Sequence, residues 1–243
     1  GYLVRADIDA RGLAITLGPE RLTGATLTTA MRLDPRRAVF TNVRLGILGG
    51  IFTGRAEIEQ WDRFEAAGQI AGYDAGLLAA TFADFELPWG GTLSGPVEAR
   101  GQFRALADLA ASGRLTVSPA PARGVPMRGR LNASFNGRTD TLVLRQSWIA
   151  LPQSRVDFSG TLGRRLDVRL ASRNLNELAP GENLPVRLNG GAAAFNGAVL
   201  GSLRSPRVAG NLRLANFRIA ERPFTLLTGA VDLSSSRVAL DGG

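Results

Sequence analysis

The chain has 243 residues and a formal net charge of +8, and it contains neither Cys nor His. Lys is absent too, so all 29 basic residues are Arg, against 21 Asp and Glu. These absences exclude disulfides, thiol nucleophiles, thiolate metal sites, an imidazole base, a Ser-His-Asp triad, a Schiff-base lysine and a P-loop lysine. The sequence therefore reads as non-enzymatic, with no cofactor and no metal.

The positive charge is spread along the chain. Arg and acid alternate, as in Arg5-Ala6-Asp7 and Arg165-Leu166-Asp167-Val168-Arg169, and aromatics make up only 7% of residues. A nucleic-acid module concentrates its charge and interleaves aromatic platforms, so no nucleic acid is expected as a partner. A diffuse anionic membrane surface is the better match. No run reaches the ~18 uninterrupted apolar residues of a transmembrane helix. The chain starts at Gly1 without the features of a signal peptide. Residues 1–243 are expected to be one continuous segment of a longer protein, with any membrane anchor outside it.

In chain order, Leu22-Thr23-Gly24-Ala25-Thr26-Leu27 opens a series of short alternating runs, followed by a turn at Asp34-Pro35, Ala38-Val39-Phe40 and Ile51-Phe52-Thr53-Gly54. Gly46-Ile47-Leu48-Gly49-Gly50 lies between two strands, where a turn is expected; a nucleotide loop would join a strand to a helix. Asp74 to Phe82 and Phe103 to Ala111 are helical candidates that equally suit strand and loop. The series resumes with Met127-Arg128-Gly129-Arg130-Leu131, a turn at Asn136-Gly137, Leu142-Val143-Leu144 and Val156-Asp157-Phe158-Ser159-Gly160. After a turn at Gly163-Arg164, Leu166, Val168 and Leu170 alternate with Asp167, Arg169 and Ala171. A third short helical candidate spans Leu175 to Ala179, after Asn174. Beyond Gly190-Gly191 and the turn at Arg204-Ser205-Pro206 come Val208, Gly210, Leu212 and Leu214 on one face, then Leu227-Thr228-Gly229-Ala230-Val231 and Val238-Ala239-Leu240. Alternation of this kind predicts roughly fifteen half-buried antiparallel strands.

The glycine-centred runs recur. Gly24, Gly129 and Gly229 occupy matching places 105 and 100 residues apart. This gives a degenerate repeat of about 100 residues, with boundaries near 22–125, 126–225 and 226–243, and repeats of this sort predict a stacked, extended architecture. A strand set with one apolar face must hide that face in a sandwich, a barrel or a curled sheet. Two Tyr and three Trp in irregular positions do not supply the girdles of a membrane barrel. The repeat favours the curled sheet, and Gly54, Gly160 and Gly210 at mid-strand are expected to mark its bulges or bends. The fold expected is all-β: an elongated, curled antiparallel sheet, or gutter, with an apolar interior. Trp61, Trp89 and Trp148 are expected near strand ends, at a groove rim or interface.

The segment Gly197-Ala198-Val199-Leu200-Gly201-Ser202-Leu203-Arg204-Ser205-Pro206-Arg207-Val208-Ala209-Gly210-Asn211-Leu212-Arg213-Leu214 resembles a signature of the TamB-like proteins, within the wider AsmA-like family. Leu166-Asp167-Val168-Arg169-Leu170 leading into Asn174-Leu175-Asn176-Glu177-Leu178 is similar to a second recurrent piece. The earlier copy, Ala105-Leu106-Ala107-Asp108-Leu109, lacks the Pro of the later one. The resemblance implies an inner-membrane-anchored protein in the periplasm of a diderm bacterium, whose curled sheet carries phospholipid acyl chains toward the outer membrane. It also implies an alternative role as a scaffold in assembling outer-membrane proteins with a TamA-like barrel partner.

An acyl-chain track needs a continuous apolar face, with headgroups left at the slit where Arg could pair with phosphate. The candidate lining residues are Leu142, Leu144, Val156, Phe158, Leu162, Leu166, Val168, Leu170, Leu212 and Leu214. An ordinary β core would use the same residues, and an oligosaccharide-handling domain would instead require paired carboxylates in a cleft.

Overall fold

A computed structural model of the chain describes residues 2–17, 20–83, 86–120, 124–178, 188–202, 205–219, 222–234 and 237–241. Seventeen strands occur among these: β1 (Val4–Leu17), β2 (Glu20–Leu33), β3 (Arg37–Ile47), β4 (Gly50–Glu59), β5 (Arg63–Asp74), β6 (Trp89–Gln102), β7 (Ala105–Pro119), β8 (Val125–Pro126), β9 (Arg128–Asn136), β10 (Thr141–Ala150), β11 (Ser154–Leu162), β12 (Arg165–Ser172), β13 (Leu188–Asn189), β14 (Ala192–Ser202), β15 (Ser205–Ile219), β16 (Arg222–Ser234) and β17 (Arg237–Asp241). Helix α1 (Ala75–Ala83) interrupts them once. It is too short to cross a membrane, and no helix among the described residues is long and apolar enough to do so.

Fifteen strands form one antiparallel sheet in which each pairs with the next in sequence, from β1–β2 through β7–β9 and β12–β14 to β16–β17. The sheet does not close into a barrel. The two-residue strands are additions: β8 runs parallel to the start of β6, and β13 pairs with the end of β15. The chain exposes 15286 Å². A compact protein of this 25.7 kDa mass would expose about 10,400 Å², so the curled sheet stays open.

An up-and-down order puts alternate connections at opposite rims. The connections entering β2, β4, β6, β9, β11, β14 and β16 lie at one, which also carries α1. Those entering β3, β5, β7, β10, β12, β15 and β17 lie at the other, the turn rim, where the described links are short. At the α1 rim, Ala75, Val117, Met127 and Leu151 form a buried cluster joined by Trp89, Leu93, Leu131 and Ile149. Leu175, Ala193, Leu214 and Phe217 form a second, and Leu178 touches both. The packed core is therefore a ribbon along one rim.

Of the two readings left open for Phe103 to Ala111, strand and loop is the one found. A turn leads into β7, where Ala105, Ala110 and Ala111 pair with β6, and Ala110 and Ala111 also with β9; these pairings override the helix propensity of its Ala and Leu. Other expectations are corrected. The helix after Asn174 shortens to a 3₁₀ turn over Leu175–Glu177, and Ala179 lies outside the described residues, as does Arg204. Gly54, Gly160 and Gly210 are not bulges, because the pairing of β4 with β5, β11 with β12 and β14 with β15 runs through them without a register shift. Shifts fall instead beside residues with left-handed backbone, Gly12 in β1, Asn42 in β3, Gly72 in β5 and Gln146 in β10, and another lies between Arg100 and Gln102 where β6 meets β7. Trp148 lies near the end of β10, two residues before Ala150.

Candidate functional site

Directly opposed residues in antiparallel strands share a face, so the register fixes where each lining candidate lies. Across β9 to β16 the rows run parallel to the long axis of the sheet. Phe135, Leu142 and Leu162 form one. Ala133, Leu144, Gly160, Leu166, Val199 and Val208 form the next. Ser147, Phe158, Val168, Gly197, Gly210 and Val231 follow. Ile149, Val156, Leu170, Phe195 and Leu212 come after them, then Ser172, Ala193, Leu214 and Leu227 nearest the α1 rim. All ten candidates share this one face. Leu166 and Leu214 are buried, at 4% and 9% exposure, and the other eight are half-buried. Only Leu212 and Leu214 belong to the packed ribbon.

The same rows add residues outside the candidate set: Phe135, Ile149, Phe195 and Val199, together with Val208, Leu227 and Val231 from runs the alternation had marked as strands. Toward the N-terminus the face continues through Phe64, Ala66, Gly68 and Ile70 of β5, which oppose Ile58, Ala56, Gly54 and Phe52 of β4. Polar residues also fall on it: Ser154 and Ser172 nearest the α1 rim, and Ser147 in the middle rows. Ser147 is only 1% exposed, and its Oγ accepts the Asn132 amide at 2.9 Å beside the β10 bulge.

No family model matches the chain. No curated protein and no solved structure is similar to it.

The opposite face is polar and carries hollows of its own, since a twisted sheet is saddle-shaped. One of about 840 Å³ is lined by Trp148, Arg155, Asp157, Asp167, Arg169 and Asn196 among others. The Arg155 guanidinium lies 4.4 Å from the centre of the Trp148 ring and pairs with Asp157 at 2.8 Å. A second hollow, of about 810 Å³, contains Arg37, Arg55, Glu57, Glu65, Glu98 and Arg100. Glu57 and Glu65, carboxylates of the kind a sugar-acting site pairs, are directly opposed there. The hydrogen bond and charge of Arg37 hold the Glu57 carboxyl below the usual carboxylate range. A general acid needs a shift in the other direction. No group of three His, Cys, Asp or Glu side chains able to hold a metal occurs among the described residues.

Proposed function

We propose that the apolar face is a track for lipid acyl chains, and that the chain is a segment of a non-catalytic lipid conduit of the TamB-like kind, working in the periplasm between two membranes. One observation carries this reading: ten residues selected from four separate sequence segments fall on a single face, in register and mostly outside the packed ribbon. Burying a methylene contributes about 0.8 kcal/mol, so a chain of about sixteen carbons gains on the order of 10 kcal/mol before the costs of binding. A ladder of similar half-buried rows offers many equivalent positions, which suits passage along the sheet better than one deep pocket would.

Protein purified without detergent is expected to carry phospholipid recoverable by organic extraction and mass spectrometry. Leu144→Asp and Val168→Asp place a charge in adjacent rows and should lower the recovered lipid at least about fivefold, given the cost of desolvating a carboxylate. Arg169→Gln on the polar face should leave it unchanged. Absence of lipid from the unaltered protein, or equal lipid in the Asp variants with their strand signal intact, defeats the proposal.

A further inference from the structure

We propose that the turn rim between β2 and β7 is a docking edge for an anionic lipid surface. The inference rests on the acyl-chain reading, because it supplies the place where lipid would enter. In the three-residue β4–β5 connection, Gln60 and Trp61 are the central residues of the turn closed by the Asp62 amide donating to the Glu59 carbonyl at 3.1 Å. Both have left-handed backbone, with φ of 51° and 57°. Such a turn favours Asn-Gly, and a bulky residue in this conformation is an outlier that calls for a functional cause. Trp61 gains no burial in return: it is 49% exposed.

Its position is nonetheless fixed. The indole Nε1 donates to the Pro35 carbonyl at 2.9 Å, across the gap to the β2–β3 turn, and the Gln60 amide donates to the Arg36 carbonyl at 2.6 Å. On the other side the Phe103 amide donates to the Asp62 carbonyl at 2.8 Å, and the Arg104 amide to Asp62 Oδ1 at 3.2 Å. Three successive turn tips are thus tied into one rigid strip that holds Trp61 and Phe103 outward. Phe103 is 51% exposed and its ring centre lies 5.0 Å from that of Phe64, which belongs to the apolar face.

The apolar face therefore reaches solvent at these tips. Of eight exposed large apolar side chains among the described residues, five lie along this rim: Trp61, Phe103, and Tyr2, Leu3 and Val4 beside Leu33. Arg36, Arg63 and Arg104 flank the aromatics; Arg63 pairs with Glu59 at 3.3 Å and Arg104 with Asp62 at 3.9 Å, while Arg36 has no ion-pair partner among the described residues and supplies the free cation of the strip. Aromatic rings with adjacent cations are the composition that settles at a membrane interface and on anionic headgroups. A projecting strip continuous with a lipid track suits such a surface.

The test is co-flotation with vesicles of phosphatidylcholine alone or containing phosphatidylglycerol. The protein should associate with the phosphatidylglycerol vesicles, and more weakly as salt is added. Trp61→Gly combined with Phe103→Ser should reduce association about tenfold, while Leu77→Ser on α1 should not. Glycine suits the left-handed turn better than Trp, so the paired variant is expected to keep its thermal midpoint. A fluorescent short-chain phospholipid presented as monomers separates this proposal from the one it rests on. The rim variant should still bind it and Leu144→Asp should not. Vesicle association that is absent, indifferent to phosphatidylglycerol or unchanged in the rim variant overturns the docking edge, as would capture of a protein partner by this strip without vesicle binding. Failure of monomer binding alone overturns only the track.

Discussion

At the residue scale, strand pairing in this protein depends on what sits beside its glycines and bulges. Gly197 and Gly210 are directly opposed, and the Phe195 ring lies over both: a Cβ added at either would come within 2.8 Å of Phe195 Cζ. Phe52 covers the opposed pair Gly54 and Gly68 in the same way. An aromatic ring over strand glycines restores the packing that a missing side chain removes. Three of the four left-handed bulges carry a hydroxyl. Ser147 serves the bulge at Gln146, Ser94 Oγ accepts the Gly72 amide at 3.1 Å, and Thr29 Oγ1 donates to the Thr41 carbonyl at 3.0 Å beside Asn42. Gly210→Ala should therefore act by overpacking. Its methyl would meet Gly197 Cα at 2.5 Å and the Asn196 carbonyl at 2.6 Å, so a loss of about 1–3 kcal/mol is expected. Each kcal/mol lowers the midpoint of a domain this size by about 2–4 °C, which a thermal melt followed by circular dichroism would register. The glycines are visible in the sequence, but alternation does not tell a glycine in unbroken register from one at a bulge. A glycine under a neighbouring ring and a glycine at a bulge look alike until the ring is placed, and Gln146 carries no compositional sign of left-handed backbone.

At the element scale, period-two patterning made the strands legible: β11 and β12 pair Phe158 with Val168 and Val156 with Leu170, as alternation implies. The segments folded onto the α1 rim were not legible, because their stability comes from partners distant in sequence. Asp74 caps α1 through its Oδ1, which accepts the Leu77 amide at 2.9 Å, a local signal of the kind sequence reading can find. The 3₁₀ turn is held differently. Glu177 is 7% exposed, and its carboxylate accepts the Gln153 amide at 2.9 Å and the Ser154 hydroxyl at 2.9 Å. Its backbone carbonyl accepts Trp89 Nε1 at 2.7 Å, across 88 residues. No periodicity reports such a bond. Glu177→Ala leaves the Gln153 amide without its acceptor while the Ser154 hydroxyl keeps Ser172 Oγ at 2.8 Å, and an unpaired buried group costs about 1–3 kcal/mol. The variant should lose amide-exchange protection at Gln153 and change the emission of Trp89, with the rows around Leu144 unaffected. Glu177→Gln keeps one side-chain acceptor and should lose less. A change spread evenly over the whole sheet would instead make Glu177 part of the global core.

At the scale of the whole molecule, the long strands associate only with their sequence neighbours, so the sheet is quasi-one-dimensional in the manner of a repeat array. The two segments that sequence similarity aligns fall on β2–β4 and β9–β11, and each has a left-handed non-glycine bulge in its middle strand, at Asn42 and Gln146. Curl is thus introduced at corresponding places, and bulges increase local twist and bend a strand. Openness follows from this geometry and is measurable. Fifteen strands about 4.8 Å apart give a sheet on the order of 65 Å long, whereas a compact 243-residue protein has a radius of gyration of about 18 Å. Small-angle scattering should give a value clearly above 18 Å and a pair-distance distribution skewed to long distances. The polar face, with surface pairs such as Arg155 and Asp157 at 2.8 Å, supplies little force to close it, since exposed pairs of this kind contribute little. Adding phospholipid should leave the radius nearly unchanged, because the track is already formed. A radius near 18 Å without lipid would mean that the apolar face collapses on itself, and a lipid-dependent expansion would then replace a standing track with one opened by its cargo.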